Sequence, residues 1–299
     1  MRQLRATSPH TTAVFQAFGV TLLWALSWVL IKIGLADIPA LTFAGLRYSL
    51  AFLCLLPLFW RAGGLRDVRA LARGDWLLLL ALGVVYYTVT QGAQFVALAL
   101  APAVTTSLIL SFTAVFVALL GIPLLGERPL PWQWLGMLAA LGGALLYFYP
   151  ALLPAGTLWG IAAAAVGMLA NSLAAIMGRS VNRRRKLRPL TVTVVSMGVG
   201  SALLLAGGLA LQGLPPLNWR NWLLIAWLAV VHTAVAFTLW NHTLRTLSAM
   251  ESTVINNSLA VQIPILAVLF LGERLAGLDV LGLALVIAGT FIVQIRPKS

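Results

Sequence analysis

Long apolar runs alternate with short polar segments along the whole chain. Ten runs come close to the ~20 residues that an α-helix needs to cross a hydrocarbon core of about 30 Å. They lie at 13–33, 42–60, 76–98, 103–125, 132–149, 156–179, 191–211, 222–244, 251–271 and 278–295. Strands of a membrane barrel would instead alternate in polarity over ~10 residues. The pattern therefore predicts an all-α integral membrane protein with ten transmembrane helices.

The second half of the chain repeats the first. The stretch from Trp76 to about position 145 recurs without a gap from Trp222 to about position 291, at an offset of 146 that places Glu127 on Glu273. We expect two five-helix units at 1–149 and 156–295. Because five crossings are an odd number, the second unit would start on the opposite side of the bilayer. Such inverted repeats place the substrate site between the two copies.

Composition agrees with a membrane location. Of the 299 residues, 61% are hydrophobic and only 9% are charged, whereas soluble domains carry about 25% charged residues. No polar segment is long enough for a soluble domain, and the chain contains no phosphate-binding loop motif. Any energy source would have to be a gradient or a partner chain. The single cysteine, Cys54, excludes an intrachain disulfide, and we expect no metal or cofactor.

The net charge of +13 would suit a nucleic-acid ligand if the basic residues formed a patch. They follow the membrane topology instead, because sixteen of the twenty fall on one side when the N-terminus is placed in the cytoplasm. This bias predicts that both termini are cytoplasmic. The clusters at 61–73 and 183–188 then indicate topology signals and contacts with anionic lipids, with no nucleic-acid partner. The first run lacks a cleavage pattern and is expected to remain as a helix.

Several motifs resemble a known family. The segment 23–32, Leu-Trp-Ala-Leu-Ser-Trp-Val-Leu-Ile-Lys, is similar to the first-helix motif of the drug/metabolite transporter superfamily, in particular its ten-helix EamA-type members. Segment 46–48, Leu-Arg-Tyr, resembles the start of the second helix in that family. The blocks that end at Gly126-Glu127-Arg128 and Gly272-Glu273-Arg274 resemble its fourth helix and the repeated counterpart. The family often has a proline thirteen residues before the acid, where this chain has Ala114 and Ala260.

The resemblance implies a function. Members of the superfamily are secondary transporters, and the Trp-rich first helix looks like that of bacterial inner-membrane exporters of aromatic and other neutral amino acids. We therefore expect alternating-access export of such amino acids and related small amphipathic molecules. A multidrug or other metabolite exporter on the same fold is the alternative. Because the duplication supplies both halves within one chain, we expect a monomer.

Polar and aromatic positions within the predicted helices indicate where a substrate binds. Polar side chains are costly in lipid, so they face the bundle interior and line a substrate path by default. The predicted central-cavity residues are Trp24, Ser27, Trp28, Tyr86, Thr90, Gln94, Asn171, His232, Trp240 and Asn256. The repeat offset pairs Tyr86 with His232 and Gln94 with Trp240, which we expect to face each other. Tryptophans at helix ends, such as Trp159, are expected at the membrane interfaces instead.

Individual charged or titratable residues leave alternatives open. His232 could couple transport to protons or remain a neutral, hydrogen-bonded imidazole, and no acidic residue lies deep in a helix to serve as its partner. Lys32 and Arg47 are expected to extend toward Asp37 and the outer interface, or else to draw a substrate carboxylate inward. Glu273 is expected to pair with the neighbouring arginine or to cap a helix.

Two classes other than a transporter were weighed. An intramembrane hydrolase would use serine and His232, but no Gly-x-Ser-x-Gly elbow occurs and a duplication has no obvious role in hydrolysis, so no enzymatic activity is predicted. A non-transporting scaffold would tolerate substitution of Trp24, Tyr86 and His232.

Overall fold

The structure is a computed structural model that describes residues 9–125, 129–149, 155–183, 187–247 and 249–294. Within these ranges the regular secondary structure is helical and contains no strand. The helices, numbered in chain order, are α1 (Pro9–Gly34), α2 (Ala40–Arg61), α3 (Arg73–Leu82, Gly83–Thr90 and Gln91–Leu100), α4 (Ala103–Ser111 and Thr113–Leu125), α5 (Pro131–Tyr147), α6 (Ala155–Arg183), α7 (Pro189–Gln212), α8 (Trp219–Ala229, Val230–Val235 and Ala236–Thr243), α9 (Ala249–Asn257 and Leu259–Leu271) and α10 (Gly277–Gln294).

Most of these helices have the length of a membrane span. In the part of the chain that the structure describes, nine are long and apolar enough to cross a membrane. The helix outside this group, α5, has 17 residues and a similarly apolar sequence. A short helix, Gly64–Arg69, connects α2 to α3. Glu127, Arg128 and both chain ends lie outside the described residues, so the orientation of the termini stays a prediction.

Helices from the two halves of the chain are interleaved. The most extensive contacts join α5 to α10, α3 to α6 and α2 to α7. The first helix, α1, packs against α8 and α9, whereas α6 packs against α3 and α4. Each half therefore completes its packing with helices of the other half, and the interior lies where α1, α2, α3 and α8 converge. The large side chains buried there include Phe43, Phe95 and Leu228.

The α5–α10 contact depends on glycines. A Cβ atom added at Gly143 would lie 2.5 Å from the carbonyl oxygen of Gly282, and one added at Gly282 would lie 2.5 Å from the carbonyl oxygen of Gly143. The Gly136–Gly289 pair is equally close, at 2.7 Å and 2.5 Å. Small residues let two membrane helices approach until their backbones touch. The contact is therefore set by backbone atoms, with no room for side chains.

Irregularities in the helices recur at the 146-residue offset. Two π-helical segments, Gly83–Thr90 and Val230–Val235, interrupt α3 and α8 at matching positions. The breaks within α4 at Phe112 and within α9 at Ser258 are also 146 positions apart. In α3 the Thr90 hydroxyl donates to the carbonyl oxygen of Val85, five residues earlier, which fits the wider π-turn. Such π-segments occur often at functional sites.

Candidate central binding site

Arg47 lies at the centre of the polar interior. It is only 5% exposed, its Nε donates to the Thr233 hydroxyl at 3.1 Å, and its guanidinium carbon is 5.3 Å from the centroid of the Tyr48 ring. The expectation that Arg47 extends toward Asp37 and the outer interface is wrong. The side chain begins about two turns inside α2 and is enclosed because α2 packs along α7 and against the π-segment of α8.

Three tyrosines surround this arginine. The Tyr48 hydroxyl donates to Gln91 Oε1 at 2.6 Å, and the Tyr48 and Tyr87 rings meet edge to face with centroids 5.7 Å apart. The Tyr86 ring lies 4.8 Å from the Tyr87 ring between centroids. The π-segment of α3 therefore contributes two successive tyrosines, of which Tyr87 contacts Tyr48 of α2 directly.

His232 approaches the same arginine from α8. The residue is 2% exposed, its Nδ1 lies 2.5 Å from the carbonyl oxygen of Leu23, and it directly precedes Thr233, the hydrogen-bond partner of Arg47. Because a carbonyl oxygen can only accept, Nδ1 carries the hydrogen and Nε2 of the neutral ring keeps a lone pair. Tyr86 and His232, which the repeat offset pairs, therefore both lie around Arg47.

An aromatic cluster adjoins His232 through α1. The Trp24 ring packs against Phe237 at 5.4 Å and against Trp240 at 5.3 Å between centroids. Trp24 directly follows Leu23, the residue that holds the imidazole of His232. Trp28 lies one turn further along α1 and packs into the hydrophobic core. The aromatic rings of Trp24, Phe237 and Trp240 therefore pack in tilted pairs beside the polar group formed by Arg47, the tyrosines and His232.

Two predicted hydroxyl residues satisfy their hydrogen bonds within their own helices. Ser27 donates to the carbonyl oxygen of Trp24 at 2.7 Å, and Thr90 donates within its π-turn. Both side chains are buried. Their placement in the interior agrees with the sequence, yet their hydroxyl hydrogens already have partners, so they contribute to helix geometry.

The predicted amide residues lie apart from Arg47. Asn171 Nδ2 is 3.4 Å from the Thr113 hydroxyl, beside the break in α4, and Gln94 is half-buried in α3. Asn256 is exposed in the first part of α9. The structure thus brings Trp24, Tyr86, His232 and Trp240 into one region with Arg47. It leaves Asn171 and Asn256 at the two helix breaks.

The predicted cavity residues do not include several members of this region: Arg47, which was given a possible carboxylate-binding role only as an alternative, and Tyr48, Tyr87, Gln91, Thr233 and Phe237. For Arg47 a signal was present, because a charge within an apolar run is costly and functional by default. For Gln91, Thr233 and Phe237 no pattern distinguishes them from ordinary helix residues.

Lys32 and Glu273 tie helix ends together at one end of the bundle. Lys32 Nζ donates to the carbonyl oxygens of Leu98 and Ala101, at 2.5 Å and 2.8 Å, instead of reaching toward Asp37. Glu273 accepts from the backbone N–H groups of Ala103 and Val104, at 2.6 Å and 3.0 Å. A carboxylate is favourable at a helix N-terminus.

Of the two roles expected for Glu273, the structure shows capping, and the capped helix is α4. We call this end of the bundle, which carries Lys32, the carbonyls of Leu98 and Ala101, and Glu273, the Lys32 face.

Packing differs between the two ends of the bundle. On the Lys32 face, the second part of α9, Leu259–Leu271, packs against the first part of α4, Ala103–Ser111. At the repeat offset, these two segments correspond to Thr113–Leu125 of α4 and Ala249–Asn257 of α9. Within the described residues, Thr113–Leu125 and Ala249–Asn257 make no comparable contact with each other. At that opposite end, His10 Nε2 approaches Glu251 Oε1 at 2.8 Å and joins α1 to α9, which are neighbours along their length. The bundle is therefore closed more tightly on the Lys32 face.

A basic cavity of about 570 Å³ lies at the end opposite the Lys32 face. It is lined by Trp60, Arg61, Ala62, Gly63, Leu65, Arg66, Arg69 and Arg188. Arg188 Nε also lies 3.6 Å from Asp67 Oδ2, and the Trp60 side chain is exposed. Clustered arginines beside an exposed tryptophan suit the headgroup region of an anionic leaflet.

Comparisons with known proteins agree with this architecture. A probable amino-acid metabolite efflux pump of Escherichia coli K12 is 30% identical, with 91% of each chain covered. The uncharacterized inner membrane transporter YedA of the same strain is 27% identical, with 93% of this chain and 89% of the relative covered. A solved crystal structure has the same fold at a TM-score of 0.66 and 19% identity, covering 95% of this chain and 97% of that chain.

The family assignment follows from a match over nearly the whole chain. The model of the EamA-like transporter family matches residues 11–149 and 158–295. The apolar helices and the inner-membrane relatives identify a multi-pass protein of the bacterial inner membrane. Together with the interleaved helices around Arg47, these matches establish that the chain belongs to the EamA-like transporter family.

Proposed function

We propose that this transporter exports aromatic and other neutral amino acids, and related small amphipathic molecules, across the inner membrane by alternating access. The observation that carries the proposal is the region around Arg47, which combines polar groups with a cluster of packed aromatic rings. Rings can stack on the apolar part of an amino acid while polar groups take its ammonium and carboxylate. A relative at 30% identity is described as an amino-acid metabolite efflux pump.

Alternating access requires two packings of similar energy, which inverted repeats supply. We propose that residues 1–149 and 156–295 are such repeats. The recurrence of the π-segments and helix breaks at one offset supports this. So do the glycine contacts, because the offset converts the Gly136–Gly289 pair into the Gly143–Gly282 pair with the partners exchanged. That exchange is what a two-fold axis between antiparallel helices produces. One chain then contains both halves, and the monomer is the proposed functional unit.

The proposed orientation follows from the basic residues. The positive-inside rule puts both termini and the basic cavity in the cytoplasm, so the Lys32 face is extracytoplasmic. The tighter packing on the Lys32 face then corresponds to an inward-facing conformation. Glu273 and Lys32 would hold the extracytoplasmic side closed, and release of the α4 N-terminus would accompany opening toward the outside.

The proposed function is tested by export from vesicles containing the purified protein. We expect transport of phenylalanine, tryptophan and leucine, abolished in vesicles without protein. Arginine and glutamate serve as charged comparison substrates, and a lipophilic cation serves as the multidrug probe. Preferential transport of the cation over every amino acid would instead support the multidrug alternative.

A pH gradient is expected to have little effect on initial phenylalanine flux, less than about twofold. The reason is that His232 donates Nδ1–H to a carbonyl oxygen, and no carboxylate pairs with it in the described part of the chain. The measurement compares initial rates in proteoliposomes with and without an imposed gradient of one pH unit. Strong proton-driven accumulation against a phenylalanine gradient would contradict facilitated export.

Thiol labelling is expected to distinguish the two sides of the membrane. In a Cys54→Ser background, Asn256→Cys should react with a membrane-impermeant maleimide from the cytoplasmic side, because this position is exposed on the side opposite the Lys32 face. Ala103→Cys should be protected from the periplasmic side, because Ala103 is 1% exposed and its N–H is held by Glu273.

Adding Glu273→Ala should raise labelling of Ala103→Cys about fivefold, since a cap contributes ~1 kcal/mol. The matched control is Asp37→Ala, which removes an exposed acid beside α1 and should leave labelling unchanged. Rapid periplasmic labelling of Ala103→Cys together with protection of Asn256→Cys would contradict the inward-facing assignment.

A further inference from the structure

We infer that Arg47 is the carboxylate-binding residue of the central site, so that the exported molecules share a carboxylate group. This inference rests on the proposed transport function and specifies its substrate class.

The guanidinium of Arg47 is buried with few protein partners. It has five N–H donors, of which Nε–H is donated to the Thr233 hydroxyl. The Tyr48 ring contributes a cation–π contact. Within the described ranges no carboxylate pairs with this arginine, and only 5% of the residue's surface is exposed. Burying a cation without a counter-charge is costly, so a functional reason for retaining it is expected.

The terminal nitrogens of Arg47 have no hydrogen-bond partner in the described part of the chain and are not fully enclosed. Among the described residues, the one fully buried side-chain polar atom that lacks a partner is Gln262 Oε1, in the α1–α9 contact. The unbonded nitrogens of Arg47 are therefore not sealed by protein atoms. Tyr86, which is half-buried in the middle of α3, is joined to Arg47 through ring contacts: its ring packs against Tyr87, Tyr87 against Tyr48, and Tyr48 against the guanidinium. A ligand that contacts these rings would lie near the guanidinium.

A carboxylate matches this group chemically. A guanidinium can donate two parallel N–H bonds to one carboxylate, which fixes both the position and the orientation of the ligand. For an amino acid, the unprotonated Nε2 of His232 can accept a hydrogen bond from the ammonium group. The Trp24 cluster next to His232 can then contact the side chain. A cationic amine without a carboxylate would be repelled by Arg47.

The experiment compares three ligands that share a phenyl ring: phenylalanine, phenylacetate and phenethylamine. Binding is measured from the ligand-dependent rise in thermal stability of purified protein, and transport is measured in vesicles. In the wild type we expect phenylalanine and phenylacetate to bind and phenethylamine to be at least tenfold weaker. Arg47→Gln should weaken both carboxylates about 10- to 100-fold, the loss of a charge-assisted hydrogen bond. Its affinity for phenethylamine should not fall.

Three comparisons keep the result interpretable. Arg47→Lys retains the charge without the paired donors and should show an intermediate loss. Arg61→Gln removes an exposed arginine from the end of the same helix and should bind all three ligands like the wild type. Without ligand, Arg47→Gln should be at least as thermally stable as the wild type, because an uncompensated buried charge is removed. A large loss of stability would assign Arg47 a structural role.

The outcomes separate this inference from the proposed function. Transport of phenylacetate but not of phenylalanine would overturn amino-acid export and leave the carboxylate site standing. Equal wild-type affinity for phenethylamine and phenylalanine would overturn the carboxylate site, whatever is transported. If Arg47→Gln does not fold, Arg47→Lys takes its place in the test. Wild-type affinity of Arg47→Lys for the carboxylates, together with equal affinity for phenethylamine and phenylalanine, would also overturn the carboxylate site. Absence of binding by all three ligands would count against both.

Discussion

Replacing Gly143 with alanine is expected to destabilise the protein by about 1–3 kcal/mol, the usual cost of forcing extra atoms into a packed contact. The added Cβ would lie 2.5 Å from the carbonyl oxygen of Gly282 and 2.7 Å from the backbone nitrogen of Val286. These atoms belong to the backbone of α10 and cannot move aside as a flexible side chain would. The free energy of unfolding in mild detergent, or the thermal midpoint, measures the change.

Gly142 is a matched control, one residue away on the same helix. A Cβ added there meets nothing within 4 Å. Alanine at Gly142 should therefore be neutral or stabilise the helix by up to about 1 kcal/mol, because glycine is the poorer helix former. Opposite signs at neighbouring positions would show that contact, and not helix propensity, governs the result. Equal effects at both positions would mean that α5 and α10 do not meet through these glycines.

Replacing Trp24 with alanine is expected to lower the efficiency of phenylalanine export about tenfold or more. The substitution removes ring contacts with Phe237 at 5.4 Å and Trp240 at 5.3 Å, and it opens the side of the site next to His232. Aromatic contacts contribute ~0.5–1.5 kcal/mol each beyond area burial, and 1.4 kcal/mol corresponds to tenfold. Initial export rates across a range of internal phenylalanine concentrations measure the effect.

Two variants control for the loss of a tryptophan. Trp24→Phe keeps an aromatic ring and should retain most of the activity. Trp159→Ala removes a tryptophan that is 75% exposed near the start of α6, where a membrane-interface role is expected, and should leave export unchanged. If all three variants export phenylalanine like the wild type while remaining folded, the Trp24 cluster takes no part in substrate binding.

The sequence predicted the helical class and most helix positions, because burial in lipid imposes a simple requirement. Every backbone group must be satisfied within its own segment, so each apolar run becomes a helix. The duplicated segments also indicated where regular structure would recur. They put Tyr86 and His232 at matching positions; in the structure Tyr86 packs against Tyr87, and His232 directly precedes Thr233, the hydrogen-bond partner of Arg47.

Other features escaped a reading along the chain. The expectation for Arg47 failed because distance from a helix end does not reveal which neighbours cover that helix. The π-segments were not foreseen, since they have no compositional signature. Helix capping was one of the two roles expected for Glu273. The helix that it caps, α4, could not be foreseen, because its N-terminus lies about 170 positions away in sequence.

By itself, the sequence determined that this chain is a helical membrane protein, because hydrophobicity can be read directly along the chain. It also predicted two related halves from the internal similarity of the sequence. Tertiary structure decided which helices contact each other and which end of the bundle is packed more tightly. It also decided which charge remains without a counter-charge in the described interior. Those properties depend on contacts between segments that are distant in sequence, such as α2 with α8 and α4 with α9. The sequence left a carboxylate-binding role for Arg47 as one of two alternatives, and the packing of α2 against α8 is what favours that role.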